Sequence, residues 1–203
     1  MGASITYPDG SVLTSSALTI AQINAIMQPL TCGMIGVADP TTTSRVRIEW
    51  PTVGAPFQEA TEDICYLRCV PKDDPYDKIR DVFNLPLNDT DLNEQWNYTR
   101  AWSIRWCFYG PNSTDLARAI RSGLYQDYFV GALALSQLFP VSDFPQEVRA
   151  PELIDGQWFE RVDLEVEMYE FVTENIDRQT ILSVETLIEG NGGVLADFTV
   201  TAS

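Results

Sequence analysis

The chain has 203 residues, 45% of them hydrophobic and 21% charged, ordinary values for a globular protein long enough to bury a core. Its charge is not ordinary: 13 Lys and Arg against 29 Asp and Glu leave a net charge of −16, which argues against gripping phosphate but not against letting nucleic acid pass. The absence of histidine removes the commonest general base, the Ser-His-Asp and Cys-His arrangements and the His-containing zinc sites.

Residues 1–16, polar and rich in turn formers, read as a flexible N-terminal arm or an edge segment. Leu18, Ala21, Ile23, Ala25, Ile26 and Leu30 recur at helical spacing, with Ser16 or Thr19 as the cap and Pro29 as the expected end. Gly33, Gly36, Pro40 and the three threonines at 41–43 make 31–43 a loop. In Arg45–Trp50, Val46, Ile48 and Trp50 alternate with Arg45, Arg47 and Glu49, as in a half-buried strand. A second strand is predicted over 61–71, and the loop between the two suggests an antiparallel pair. From Pro71 to Trp96 the chain carries prolines and many carboxylates and reads as a long irregular stretch, poor as core and good as adaptable surface. Asp73, Asp74, Tyr76, Asp77 and Arg80 within it are the candidate contacts to another subunit or partner.

Residues 94–127 organise the chain. Trp102, Ile104, Trp106 and Phe108 fall on one parity and Ser103, Arg105, Cys107 and Tyr109 on the other, so one aromatic face of a strand packs into the core. Gly110, Pro111 and Asn112 break the strand. Ser113, Thr114 and Asp115 offer caps for a helix over 114–127 whose stripe is Leu116, Ala119, Ile120, Gly123, Leu124 and Tyr128. A short helix near 131–138 follows, then a proline-punctuated irregular run. Residues 157–172 alternate again, with Trp158, Val162, Leu164, Val166 and Met168 on the core face and Arg161, Asp163, Glu165 and Glu167 on the polar one. A short strand is predicted over 181–188, and 189–203 read as a tail with a strand-like end. The whole is an α+β fold: a mainly antiparallel sheet with amphipathic helices packed on it, as one domain over 17–188.

No motif carries chemistry. The glycines at 190–193 lack the lysine of a phosphate loop, and the Asp73–Asp77 carboxylates lack the spacing of a calcium loop. Neighbours among Asp163, Glu165 and Glu167 lie roughly 6–7 Å apart on a strand, which suits a carboxylate pair but more often a wet sheet face. Cys65 and Cys69 would stand roughly 13 Å apart on one strand and cannot bridge, so all four cysteines are expected as buried thiols in a reducing compartment. No secretory pattern opens the chain and no apolar run approaches the roughly 18 residues of a membrane span.

YTRAWSIRWCFYGPNSTDLARAIRSGL resembles the strand–turn–helix signature of bacteriophage neck and tail-terminator proteins, and DFPQEVRAPELIDGQWFERVDLEVEMYEFVTE resembles a later segment of that family. RVRIEWPTVGAPFQ and DICYLRCVPKDDPYDKIRDV fit its earlier part, so the resemblance covers most of 17–188. It implies a structural virion protein, made in the host bacterial cytoplasm, that forms a homo-hexameric ring at the head-proximal end of the tail, stops tail-tube growth and joins the tail to the neck. The implied partners are further copies, the tail tube protein and neck or connector proteins, with genomic DNA passing through unbound; no enzymatic activity, cofactor, metal or membrane is implied. Asp163, Glu165 and Glu167 are candidates to face that channel, or else outside solvent. Two alternatives stay open: a head–tail adaptor or stopper of the neck, and, from a different class, a small acidic carbohydrate-binding or carboxylate-dependent hydrolytic module.

Overall fold

A computed structural model of the chain describes residues 4–8, 10–37, 45–49, 61–86, 91–179, 183–190 and 193–201. In chain order its elements are β1 (Ser4–Thr6), β2 (Val12–Ser15), α1 (Ile20–Ile35), β3 (Val46–Ile48), β4 (Ile64–Lys72), a 3₁₀ turn (Pro75–Lys78), β5 (Asp81–Pro86), β6 (Asp91–Tyr109), α2 (Ser113–Gly123), α3 (Asp127–Ala134), β7 (Leu138–Pro140), β8 (Val148–Arg149), β9 (Glu152–Ile154), β10 (Gln157–Phe159), β11 (Arg161–Gln179), β12 (Ser183–Gly190) and β13 (Gly193–Thr201). They form two compact units. Ala17–Arg80 and Tyr98–Val172 make the larger, and Met1–Ser16, Asp81–Asn97 and Thr173–Ser203 the smaller, so the division falls inside the segment 17–188. The fold is α+β with a mainly antiparallel sheet.

In the larger unit the strands lie in the order β3, β4, β6, β11, with β7 and β8 also paired to β11. β4 runs antiparallel to β6, from Ile64 opposite Tyr109 to Lys72 opposite Ala101. That register puts Cys65, Leu67 and Cys69 beside Phe108, Trp106 and Ile104 on the face that α1 and α2 cover. Trp102, Ile104, Trp106 and Phe108 are all buried, as their parity requires, and share one core with Ile120 and Leu124 of α2 and the neighbouring Val162, Leu164, Val166 and Met168 of β11.

Four expectations for this unit are corrected. First, α1 runs through Pro29 to Ile35 instead of ending there, so 31–35 are helix and not loop. A proline inside a helix loses one backbone bond. Here its ring sits on the exposed side, while Ile23, Met27, Thr31 and Cys32, buried on both sides of it, hold the helix to the sheet. The helix opens in a capping box, Gln22 N donating to Thr19 Oγ1 at 3.2 Å and Thr19 N to Gln22 Oε1 at 2.8 Å. Second, β3 pairs with β4 in parallel, not antiparallel, with Val46 opposite Cys65. The intervening connection, residues 49–63, is long enough for the crossover that parallel pairing needs. Trp50 lies outside the described residues.

Third, α2 stops at Gly123, and α3 starts at Asp127, leaving Tyr128 exposed instead of on the core stripe. The cap of α2 is Asn112, with no side-chain bond to the helix, and Ser113 is the buried first helical residue. Fourth, the strand predicted over 157–172 is broken at Glu160. Because side chains alternate every residue, one unpaired residue inverts the faces: Phe159 is buried, and Trp158 is 67% exposed instead of in the core.

In the smaller unit β1 pairs antiparallel with β2, Ile5 opposite Leu13, and β2 with the end of β11, Thr14 opposite Asn175. β5 pairs antiparallel with the start of β6, from Asp81 opposite Asn97 to Pro86 opposite Leu92. The stretch 71–96 is therefore not irregular throughout: it holds the end of β4, the 3₁₀ turn, β5 and the first residues of β6. Every residue of β5 is exposed, so no burial pattern marks it as a strand. β12 and β13 form an antiparallel hairpin with a register shift between Ile188 and Glu189.

Candidate assembly surfaces

The face of the larger sheet opposite its helices carries the polar parity of three neighbouring strands. β4 contributes Tyr66, Arg68 and Lys72, β6 contributes Ser103, Arg105 and Tyr109, and β11 contributes Arg161, Asp163, Glu165 and Glu167. Arg68 stands directly opposite Arg105, an unfavourable like-charge pair in isolation. Carboxylates on both sides offset it: Glu49 lies 3.7 Å from Arg68, and Asp163 lies 2.6 Å from Arg105. Asp163 also accepts from Arg161 at 2.8 Å, and Arg161 reaches Glu152 at 3.1 Å. Tyr109 Oη donates to that same Glu152 at 2.6 Å. Ser103 Oγ donates to Glu165 at 2.6 Å, and Lys72 pairs with Glu167. Partial burial pushes the Asp163 carboxyl up, but the hydrogen bonds from Arg161 and Arg105 outweigh it and leave it below its usual value. The three carboxylates thus share one face, as their spacing requires; Asp163 and Glu165 are bonded to the neighbouring β6, and Glu167 reaches across it to Lys72 of β4.

The 73–80 segment reaches the same face. Asp74 caps the 3₁₀ turn, accepting from Tyr76 N at 2.8 Å, while Asp73 pairs with Lys78 at 3.0 Å. The Tyr76 ring, 62% exposed, packs edge-on against Tyr169 of β11 with centroids 6.4 Å apart. Arg80 donates to the carbonyl of Asp77 and covers the Tyr98 ring at 3.6 Å. Tyr169 is two residues from Glu167, so the structure brings the two groups of sequence-predicted residues together at one end of the face.

Sequence reasoning misses Glu170. It lies on the core parity of β11, is 1% exposed, and accepts from Leu18 N at 2.5 Å and Trp102 Nε1 at 2.7 Å, with Arg100 at 3.4 Å. A carboxylate in register with Leu164, Val166 and Met168 is the available signal, since a buried charge needs partners. The GPN turn also acquires a reason. Gly110 has φ +110, and a Cβ there would stand 2.6 Å from the Glu62 carbonyl oxygen. Asn112 closes the turn, its N and Nδ2 donating to Asp63 at 3.0 and 2.8 Å.

The four cysteines are buried thiols, none of them in a disulfide. Burial pushes Cys69 up to about 12 and Cys107 up to about 11, and raises Cys65 well above its usual value, so they stay protonated and inert. Among the described residues no cluster of three or more Cys, Asp and Glu could hold a metal ion, and no helix is long and apolar enough to cross a membrane.

No curated protein matches the chain. A family model does, over residues 21–194, and its description is phage neck terminator protein. The match spans the strand–turn–helix of β6 and α2, the polar sheet face and the β9–β10–β11 run. The chain belongs to the phage neck terminator family and is thereby a structural protein of the phage neck and tail.

Proposed function

We propose that copies of this chain close into a six-membered ring at the head-proximal end of the tail, end tail-tube growth there and join the tail to neck proteins. The polar sheet face lines the DNA path. One observation supports this reading above the others: four cations of that face, Arg68, Lys72, Arg105 and Arg161, are each engaged by a carboxylate, and a fifth, Arg47 of β3, donates to the Tyr66 hydroxyl beside it at 3.5 Å. Cations already neutralised by neighbours have little left to offer phosphate, so DNA slides past a balanced wall. The lubrication comes from internal pairing more than from bare negative charge, and what repulsion remains is screened within about 8 Å at physiological salt. The segment Asp73–Arg80, with Asp73, Asp74, Tyr76, Asp77 and Arg80, supplies contacts to an adjacent subunit or neck protein. Its Tyr76 is an exposed aromatic already held in place by Tyr169, the kind of residue that anchors interfaces.

The test withholds the chain during infection by placing a conditional stop codon in its gene. The expected products are tails of irregular length, unattached to heads. Tails of normal length joined to filled heads would overturn the reading. Heads that leak DNA beside normal, free tails would point instead to a stopper of the neck.

A further inference from the structure

Residues 153–159 take no part in the polar face, yet together with Glu152 they form a defined object. β9 and β10 make a separate two-stranded hairpin with Leu153 directly opposite Trp158. Its turn is Asp155-Gly156, both with positive φ (50° and 83°), as a tight two-residue hairpin demands. Its base is fastened: Phe159 is buried, and Glu152 accepts from Tyr109 at 2.6 Å and Arg161 at 3.1 Å. The outer side is left bare. Trp158 is 67% and Leu153 54% exposed, and Asp155 at the tip makes no hydrogen bond or ion pair among the described residues. A rigid hairpin displaying a tryptophan, a leucine and a carboxylate has the composition of a binding anchor.

The same unit carries a cleft of opposite character. It has a volume of about 370 Å³ and is lined by Arg118, Arg121, Ser122, Tyr125, Gln146 and Glu147. In a chain of net charge −16, two arginines facing one recess stand out. Glu147 accepts from Arg118 at 2.9 Å through one carboxylate oxygen, while the other is shielded from solvent with no hydrogen-bond partner; its own backbone N–H, then Arg118 and Arg121, hold its pKa down. Arg121 Nη2 makes a long 3.4 Å bond to the Phe144 carbonyl, and its Nε is shielded from solvent with no acceptor. Tyr125 forms an aromatic wall, its ring steadied edge-on by Phe144 at 4.7 Å and otherwise exposed. The cleft therefore offers a guanidinium held by a single long bond and an aromatic surface. Those are the complements of a carboxylate and an indole.

We infer that the β9–β10 hairpin of one copy docks into the cleft that α2 and the segment Phe144–Glu147 form in a second copy, Trp158 packing on Tyr125 and Arg121 while Asp155 pairs with Arg121. The occupant is the chain itself because knob and cleft match in charge and in aromatic character and both belong to one chain. A surface that binds a different surface of its own copy is what builds a ring. The inference rests on the self-assembly proposed above and names the surfaces through which it proceeds.

The experiment uses the full chain. Sedimentation velocity over a range of concentrations measures association of the wild type, of Trp158→Ala and of Asp155→Arg. Both substitutions fall on exposed side chains, and circular dichroism checks that the variants stay folded. Each should weaken association by about tenfold or more. Two further variants, Asp155→Cys and Ser122→Cys, are treated with an oxidant each alone and, in a further sample, after mixing in reduced form. The native cysteines are buried, so the mixture should give a disulfide-linked dimer that neither variant gives alone. Wild-type association with unchanged behaviour of Trp158→Ala and no cross-linked mixture would overturn the hairpin–cleft contact and leave self-assembly standing. A wild type that stays monomeric at every concentration and on isolated tail tubes would overturn both.

Discussion

The indole N–H of Trp102 donates to the Glu170 carboxylate at 2.7 Å, between neighbouring strands and beneath the start of α1. The same carboxylate accepts from Leu18 N at 2.5 Å and lies 3.4 Å from Arg100, whose guanidinium also sits 4.8 Å from the Trp102 ring. One buried acid thereby ties the entrance of α1, β6 and β11 together. Glu170→Ala removes an acceptor from three donors and leaves Arg100 without its counter-charge. The expected cost is about 3–5 kcal/mol, the range for breaking a buried pair from one side. Glu170→Gln keeps one acceptor oxygen and should cost less. Urea denaturation decides; a loss below about 1 kcal/mol for the alanine variant would contradict this role.

Trp106 is fully buried, and its Nε1 donates to Thr31 Oγ1 at 2.9 Å while that hydroxyl donates to the Met27 carbonyl at 2.8 Å. Trp106→Ala should cost about 3–5 kcal/mol, chiefly through the cavity it leaves. Trp106→Phe keeps most of the packing but removes the donor to the Thr31 hydroxyl. Thermal unfolding should order the three proteins wild type, Phe variant, Ala variant.

Gly110→Ala combines a positive φ with a Cβ 2.6 Å from the Glu62 carbonyl oxygen. Backbone cannot yield as a flexible side chain does, so the turn between β6 and α2 must shift. A loss of about 1–3 kcal/mol is expected by chemical denaturation. Gly131→Ala, where an added Cβ meets nothing within 4 Å and the helix gains propensity, should be neutral or stabilising.

Asp163 makes stability fall in acid. Its burial raises the folded-state pKa, the bonds from Arg161 and Arg105 lower it further than that, and the net is depression. A depressed carboxylate contributes stability that is present above its unfolded pKa, about 3.9, and lost as pH falls through the folded value. Unfolding free energy should therefore drop below about pH 4. Asp163→Asn should be less stable than wild type at pH 7 and converge toward it in acid. Equal pH slopes for the two proteins would contradict the assignment. Reversing Asp163, Glu165 and Glu167 together to lysine would set like charges beside Arg105, Arg161 and Lys72, so that variant should lose stability before any effect on DNA passage is measured.

Tyr76→Ala removes an exposed ring whose one edge-on contact is worth about 0.5–1.5 kcal/mol, so the isolated chain should unfold near the wild-type midpoint. If the 73–80 segment is an assembly contact, the variant chain should complement a phage lacking the wild-type copy poorly. Full plaque yield would remove Tyr76 from the contact.

Elements whose burial is periodic are legible in the sequence alone. The aromatic parity of β6, the alternation of Val162 to Met168 against Arg161 to Glu167, and the stripe through Ile120 and Leu124 each follow from which side chains must leave water. The family resemblance rests on those same stretches, and the match over 21–194 agrees with it. Whatever depends on partners distant in the chain is settled by tertiary contacts. Pro29 stays inside α1 because the sheet holds the helix on both sides of it. β5 is a strand because β6 pairs with it, although every residue it presents is exposed. Trp158 leaves the core because one unpaired residue, Glu160, turns the strand over. The carboxylates of the polar face can be counted from the sequence, but the pairs Glu49 with Arg68, Glu167 with Lys72 and Asp163 with Arg105 are brought together only by strand pairing. Charge is a property of composition, whereas its neutralisation is a property of register, and register exists only once the strands have met.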